Sequence, residues 1–98
     1  FRFGSFRFIN TSQKEIAIEL AEERFLVDSS GSKTIEVDPP ERGDLSIRIA
    51  AKNEDGEWTS NYTNGWGHRS NLRTLVFLLD GANGRIKPLR FRQTEPKD

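Results

Sequence analysis

Three observations predict an all-β domain, a single antiparallel β-sandwich of about 7–9 short strands. Apolar and polar residues alternate with period two along most of the chain. Turn-forming clusters of Gly, Pro, Asn and Asp recur at roughly the 8–12-residue spacing of a sandwich or barrel. Composition supplies the third: 98 residues, 34% hydrophobic and 10% aromatic, are enough for one core and too few for two. We assign residues 1–93 to the sandwich and the apolar-free 94–98 to a mobile tail.

Each element follows in order. Phe6 and Phe8 alternate with Arg7, the pattern of a half-buried strand. Phe1 and Phe3 are out of phase with them. A slip at Gly4-Ser5 therefore implies either a bulge or an unpaired N-terminus. Glu15 to Arg24 is rich in helix formers, but Ile16, Ile18 and Leu20 alternate strictly, so the segment is expected as strand. Ser29-Ser30-Gly31-Ser32 leads into a strand around Ile35 and Val37. Asp38-Pro39-Pro40-Glu41-Arg42-Gly43 is a corner, because two prolines cannot donate to a ladder. Leu45, Ile47 and Ile49 mark the next strand, and Asn53-Glu54-Asp55-Gly56 a hairpin turn. Trp58, Ser60 and Tyr62 alternate after it. Leu72–Leu79 is apolar on both faces from Leu75 onward, which places it centrally. Asp80-Gly81-Ala82-Asn83-Gly84 reads as a second hairpin turn, leading to a strand with Leu89 and Phe91 inward and Arg90 and Arg92 outward.

Fifteen basic residues balance fifteen acidic ones. A net charge of zero supplies no long-range field toward nucleic acid or an anionic membrane. Arg7, Arg48, Arg73, Arg90 and Arg92 fall on alternating strand positions and would make a cationic sheet face if aligned. Pairing with Glu15, Glu19 and Glu36 is the simpler expectation, so nucleic acid is not expected as a partner. No apolar run is long enough to span a membrane. There is no cysteine, which argues against the disulfide-dense class of secreted domains. The chain opens on Phe1, which suggests processing or excision. A periplasmic, cell-surface or secreted location is expected, with the cytoplasm also compatible.

Arg7-Phe8-Ile9-Asn10-Thr11-Ser12, followed by Ile16-Ala17-Ile18-Glu19-Leu20, resembles the first hairpin of small bacterial immunoglobulin-like domains. The resemblance covers about the first fifth of the chain. It implies an immunoglobulin-like sandwich, often exported, with no shared active site and so no functional residues to carry over.

Chemistry is sparse. Nucleophilic catalysis needs a nucleophile, a base and an orienting group in contact. The chain has no Cys, a single histidine (His68), and no nucleophile elbow around any serine. One His without Cys also removes the usual zinc sets. Asp38, Glu41 and Asp44 share a corner, but solvated turn acids are the simpler reading than a calcium site. Asn10-Thr11-Ser12 and Asn61-Tyr62-Thr63 match the N-glycosylation sequon, a pattern that arises readily by chance. No enzyme, metal or cofactor is expected.

The most distinctive segment is Tyr62–Asn71. Trp66 stands between two glycines, off the strand pattern, in an expected loop. Tyr62, Asn64, Trp66, His68, Arg69 and Asn71 form the candidate binding group: a ring face with hydrogen-bonding side chains beside it. Folding of Trp66 back onto the core is the competing reading. Two functions follow. One is a non-enzymatic structural or interaction module that contacts a protein partner or neighbouring domain through this loop or a free sheet edge. The alternative is a carbohydrate-binding module stacking sugars on Trp66 and Tyr62.

Overall fold

The computed structural model describes residues 1–97. Its eight strands are β1 (Ser5–Asn10), β2 (Ile16–Leu20), β3 (Glu23–Val27), β4 (Ser32–Glu36), β5 (Leu45–Lys52), β6 (Trp58–Trp66), β7 (Leu72–Asp80) and β8 (Ile86–Thr94). They form two four-stranded sheets, ordered β4-β1-β7-β8 and β3-β2-β5-β6. The all-β two-sheet sandwich is thus the architecture. No helix among the described residues is long and apolar enough to cross a membrane.

Five of the six ladders are antiparallel; β1 pairs with β7 in parallel. The expected antiparallel sandwich thus holds, with this one parallel ladder inside it. The N-terminal strand slots between an early strand and a late one, and its direction is set by the long path between them. The strand orders also differ from those of a constant-type immunoglobulin domain, where the first two strands share a sheet. Here β1 and β2 lie in opposite sheets.

The core sits between the sheets. Phe6, Phe8, Val76 and Leu78 face inward from one, and Ile16, Ile18, Leu20, Ile47 and Ile49 from the other. Each fully buried side chain of this kind stabilises by roughly 1.5–3 kcal/mol. Ile16–Leu20 form β2, strand rather than helix as alternation indicated against composition, but the segment expected as strand to Arg24 is split by a turn at Ala21-Glu22 before β3. β7 is central, between β1 and β8. Both glycine-bearing hairpins are present: Gly56 has φ +82° and Gly84 φ +72°. The phase slip at the N-terminus is a turn rather than a bulge inside the strand. Gly4 has φ +90°, and its N–H donates to the Leu72 carbonyl at 2.8 Å. Phe1 and Phe3 then lie against the Arg73 guanidinium, at 5.3 and 4.5 Å from the ring centroids. Strand β8 runs through Thr94, and the Glu95 N–H still donates to the Asn71 carbonyl. Asp98, the end of the expected tail, lies outside the described residues.

One hairpin carries no sequence signal. Leu20 pairs with Glu23 across Ala21-Glu22, and Ala21 has φ +53°. A two-residue hairpin turn wants positive φ, which costs an L-residue about 1–2 kcal/mol. Ala21→Gly is expected to raise the unfolding free energy by about 0.5–1 kcal/mol, because relief of this strain exceeds the entropy the unfolded chain gains. Urea denaturation checks it; a variant less stable than the parent would refute the strain.

Candidate functional site

The six expected site residues fall on the end of β6 and the connection to β7; Trp66 and His68 are buried, Tyr62 and Asn71 half-buried, and Asn64 and Arg69 exposed. Strand β6 slips register between Ile49 and Ala50 of β5, leaving Asn61 as an extra residue. One extra residue reverses the face. Trp58 and Ser60, opposite Lys52 and Ala50, point outward; Tyr62, opposite Ile49, points toward the core. The expected single face Trp58–Ser60–Tyr62 is therefore split. Trp58 is 45% exposed and Trp66 0%.

Trp66 is not in a loop and offers no ring to a ligand. It is the last residue of β6, opposite Leu45. Its ring stacks with Phe6 and Phe8 at centroid distances of 6.2 and 6.3 Å. The Arg90 guanidinium covers it at 4.8 Å. Its Nε1–H donates to the Tyr62 hydroxyl at 3.1 Å, and Asn64 Nδ2 donates to the same oxygen at 2.8 Å. Tyr62, Asn64 and Trp66 are thus brought together as a satisfied polar edge to the core. Of the two flanking glycines, Gly65 has steric work. A Cβ on Gly65 would meet the Asp44 side chain at 3.1 Å.

His68 is a fastener. It is buried, and its Nε2 lies 3.1 Å from the Gly4 carbonyl oxygen and 2.8 Å from that of Val37. Both partners are acceptors, so Nε2 carries the proton and donates. The other ring nitrogen, Nδ1, is buried and unpartnered. The ring therefore ties the β6–β7 connection to the N-terminal turn and the end of β4. Arg69 is exposed and Asn71 half-buried; with His68, Arg92 and Thr94 they line a polar cleft of about 590 Å³. No group of three or more His, Asp or Glu positioned for a metal occurs among the described residues. The sequon asparagine Asn10 is fully buried, with its amide nitrogen donating to the Lys14 and Val27 carbonyls.

The surface that stands out lies elsewhere. The β7–β8 register pairs Leu75 with Phe91 and Phe77 with Leu89, all on the outer face of their sheet. Ile9, opposite Phe77 on β1, extends the block, and Leu79 ends it. Leu89 is 40% exposed and Phe91 54%. The expected phase of β8 is thus inverted: Ile86, Pro88, Arg90 and Arg92 are on the sandwich side. The cause is register, since Val76 and Thr74 turn inward on β7 and oppose Arg90 and Arg92. The expected ion pairs also shift partners. Glu36, Glu19 and Glu15 pair with Arg2, Arg24 and Lys52. Arg7 donates to the Thr34 hydroxyl and Arg73 to Gln93. Sequence could have flagged the block: apolar residues on both faces from Leu75 to Leu79 mean a covered outer face or an unpartnered one.

No family model matches the chain, and no curated protein does. Among solved structures, the chain is similar to an NMR structure of a protein from Eubacterium rectale. The TM-score is 0.52 with 16% identity, over 87% of this chain and 84% of that one. At that identity the likeness is one of fold alone.

Proposed function

We propose that the chain is a non-enzymatic interaction module that docks a protein on the outer face of β7 and β8. The carrying observation is the apolar block of Ile9, Leu75, Phe77, Leu79, Leu89 and Phe91, with Leu89 and Phe91 at 40% and 54% exposure. Outward positions of a solvated sheet are ordinarily polar. The structural use of His68 Nε2, bonded to the Gly4 and Val37 carbonyls, supports the non-enzymatic reading, and burial of Trp66 removes the ring on which a sugar would stack.

The test has two arms. Leu89→Ser/Phe91→Ser should lose only about 1 kcal/mol, the scale of the Phe77–Phe91 edge contact, because neither residue fills the core. A photo-crosslinking residue at position 89 should give one discrete adduct in the producing cell, and the same residue at position 58 none. A loss as large as a core truncation, or an adduct from position 58 alone, would sink the proposal.

A further inference from the structure

We infer that the C-terminal half of β8 is a receptor edge for an extended peptide strand carrying acidic residues at alternate positions. This rests on the docking face proposed above and names its partner.

Backbone geometry comes first. The Gly81 N–H donates to the Arg85 carbonyl and the Glu95 N–H to the Asn71 carbonyl. In an antiparallel ladder, bonded and unbonded pairs alternate. Odd-numbered residues of β8 therefore bond to β7, and even-numbered ones turn their N–H and C=O outward. The first outward group, Ile86 N–H, is capped by Asn61 Oδ1 at 2.8 Å. The second, Pro88, has no N–H. Arg90, Arg92 and Thr94 follow, with no backbone partner on that side among the described residues. The other edges differ: β3 and β4 have five residues each, and β6 is bulged. Short or bulged edges resist pairing.

Charge selects the occupant. From Trp58 to Thr94 the chain carries six basic residues (Arg69, Arg73, Arg85, Lys87, Arg90, Arg92) and one acid, Asp80. Zero net charge hides this asymmetry. Among the described residues, no carboxylate lies within ion-pair distance of Arg90 or Arg92. Stacking of Arg90 on Trp66 leaves the rim of its guanidinium free to donate. An added strand would set alternate side chains beside Arg90 and Arg92, where carboxylates fit. Its other side chains would extend the Leu89–Phe91 face. A notch of about 170 Å³ between Phe1, Leu75, Phe91 and Arg92 has room for one apolar side chain. A second copy pairing β8 to β8 would bring arginines against arginines, which is unfavourable. A nucleic acid would leave the outward N–H and C=O row unused, whereas a peptide satisfies it.

The probe is a short peptide of alternating glutamate and valine, with its lysine–valine counterpart and an oligothymidylate as comparisons. With the isotope-labelled chain, the acidic peptide should slow amide exchange at Arg90 and Arg92 by about tenfold or more. Arg92→Gln should weaken it several-fold and raised salt should weaken it further. Arg92→Pro removes the outward donor at a position that does not bond to β7, and should abolish the protection. Protection by the lysine peptide, oligothymidylate binding on β8, or protection without peptide in concentrated samples (a second copy) would each overturn the inference. So would no protection at all. If crosslinking from position 89 persists while the acidic peptide fails, the docking face stands and the edge inference falls; loss of both removes both.

Discussion

Trp66→Ala will cost about 3–5 kcal/mol of unfolding free energy, the range for truncating a large buried aromatic. A domain of this size has about 5–15 kcal/mol in all, so the variant will sit close to unfolding. The ring is fully buried, stacked with Phe6 and Phe8, edged by Tyr62 and covered by Arg90. Its removal empties the space between the sheets where β1 meets β6. It also strips the Tyr62 hydroxyl of a donor. The half-exposed Trp58→Ala, by contrast, will cost about 1 kcal/mol or less. Urea titrations of the two variants decide it. Equal losses would mean that Trp66 is not the hub these contacts describe.

Asn10→Asp will cost a comparable 3–5 kcal/mol, although it changes one atom. Asn10 is fully buried at the end of β1. Its Nδ2 donates to the Lys14 carbonyl at 2.8 Å and the Val27 carbonyl at 3.0 Å. Its Oδ1 accepts from the Ser12 N–H at 2.9 Å and the Ser12 hydroxyl at 2.6 Å. One amide thus holds the β1–β2 connection against the end of β3, with both ends satisfied. A carboxylate keeps the acceptor role but turns its second oxygen toward two carbonyl oxygens, in a fully buried site. The ionised form is disfavoured, so the folded pKa of the new acid rises above its unfolded value of about 3.9. Native protein then binds more protons than unfolded, and the deficit shrinks as pH falls through the folded pKa toward about 4. Denaturation at neutral and acidic pH measures this. A deficit that grows on acidification would contradict the assigned hydrogen bonds.

Strand signals and turn chemistry were legible in the sequence wherever they were local. The hairpins at Asn53–Gly56 and Asp80–Gly84 carry glycine at positive φ, and Pro39-Pro40 stands between strands. The Ala21-Glu22 turn was not legible, because its residues are ordinary and the pairing of β2 with β3 imposes the conformation. The face of each side chain was harder still. Alternation predicts that two faces exist, and only partner strands decide which is inside. Asn61 shows this on β6, where one extra residue sends Trp58 out and Tyr62 in. On β8, pairing with β7 turns Leu89 and Phe91 outward against their apparent pattern. The expected site suffered from the same ambiguity: Gly-Trp-Gly reads as an open loop, but Gly65 is small so that Asp44 can pass, and Trp66 enters the core.

The sequence by itself determined that this is an all-β chain with turns wherever glycine or proline clusters stand, the Ala21-Glu22 turn apart, because backbone preference and period two are properties of neighbouring residues. Tertiary structure alone decided the parallel β1–β7 pairing, the inversion of β8 and the burial of Trp66. Those depend on register between strands far apart in sequence, and a shift of one residue there exchanges core for surface.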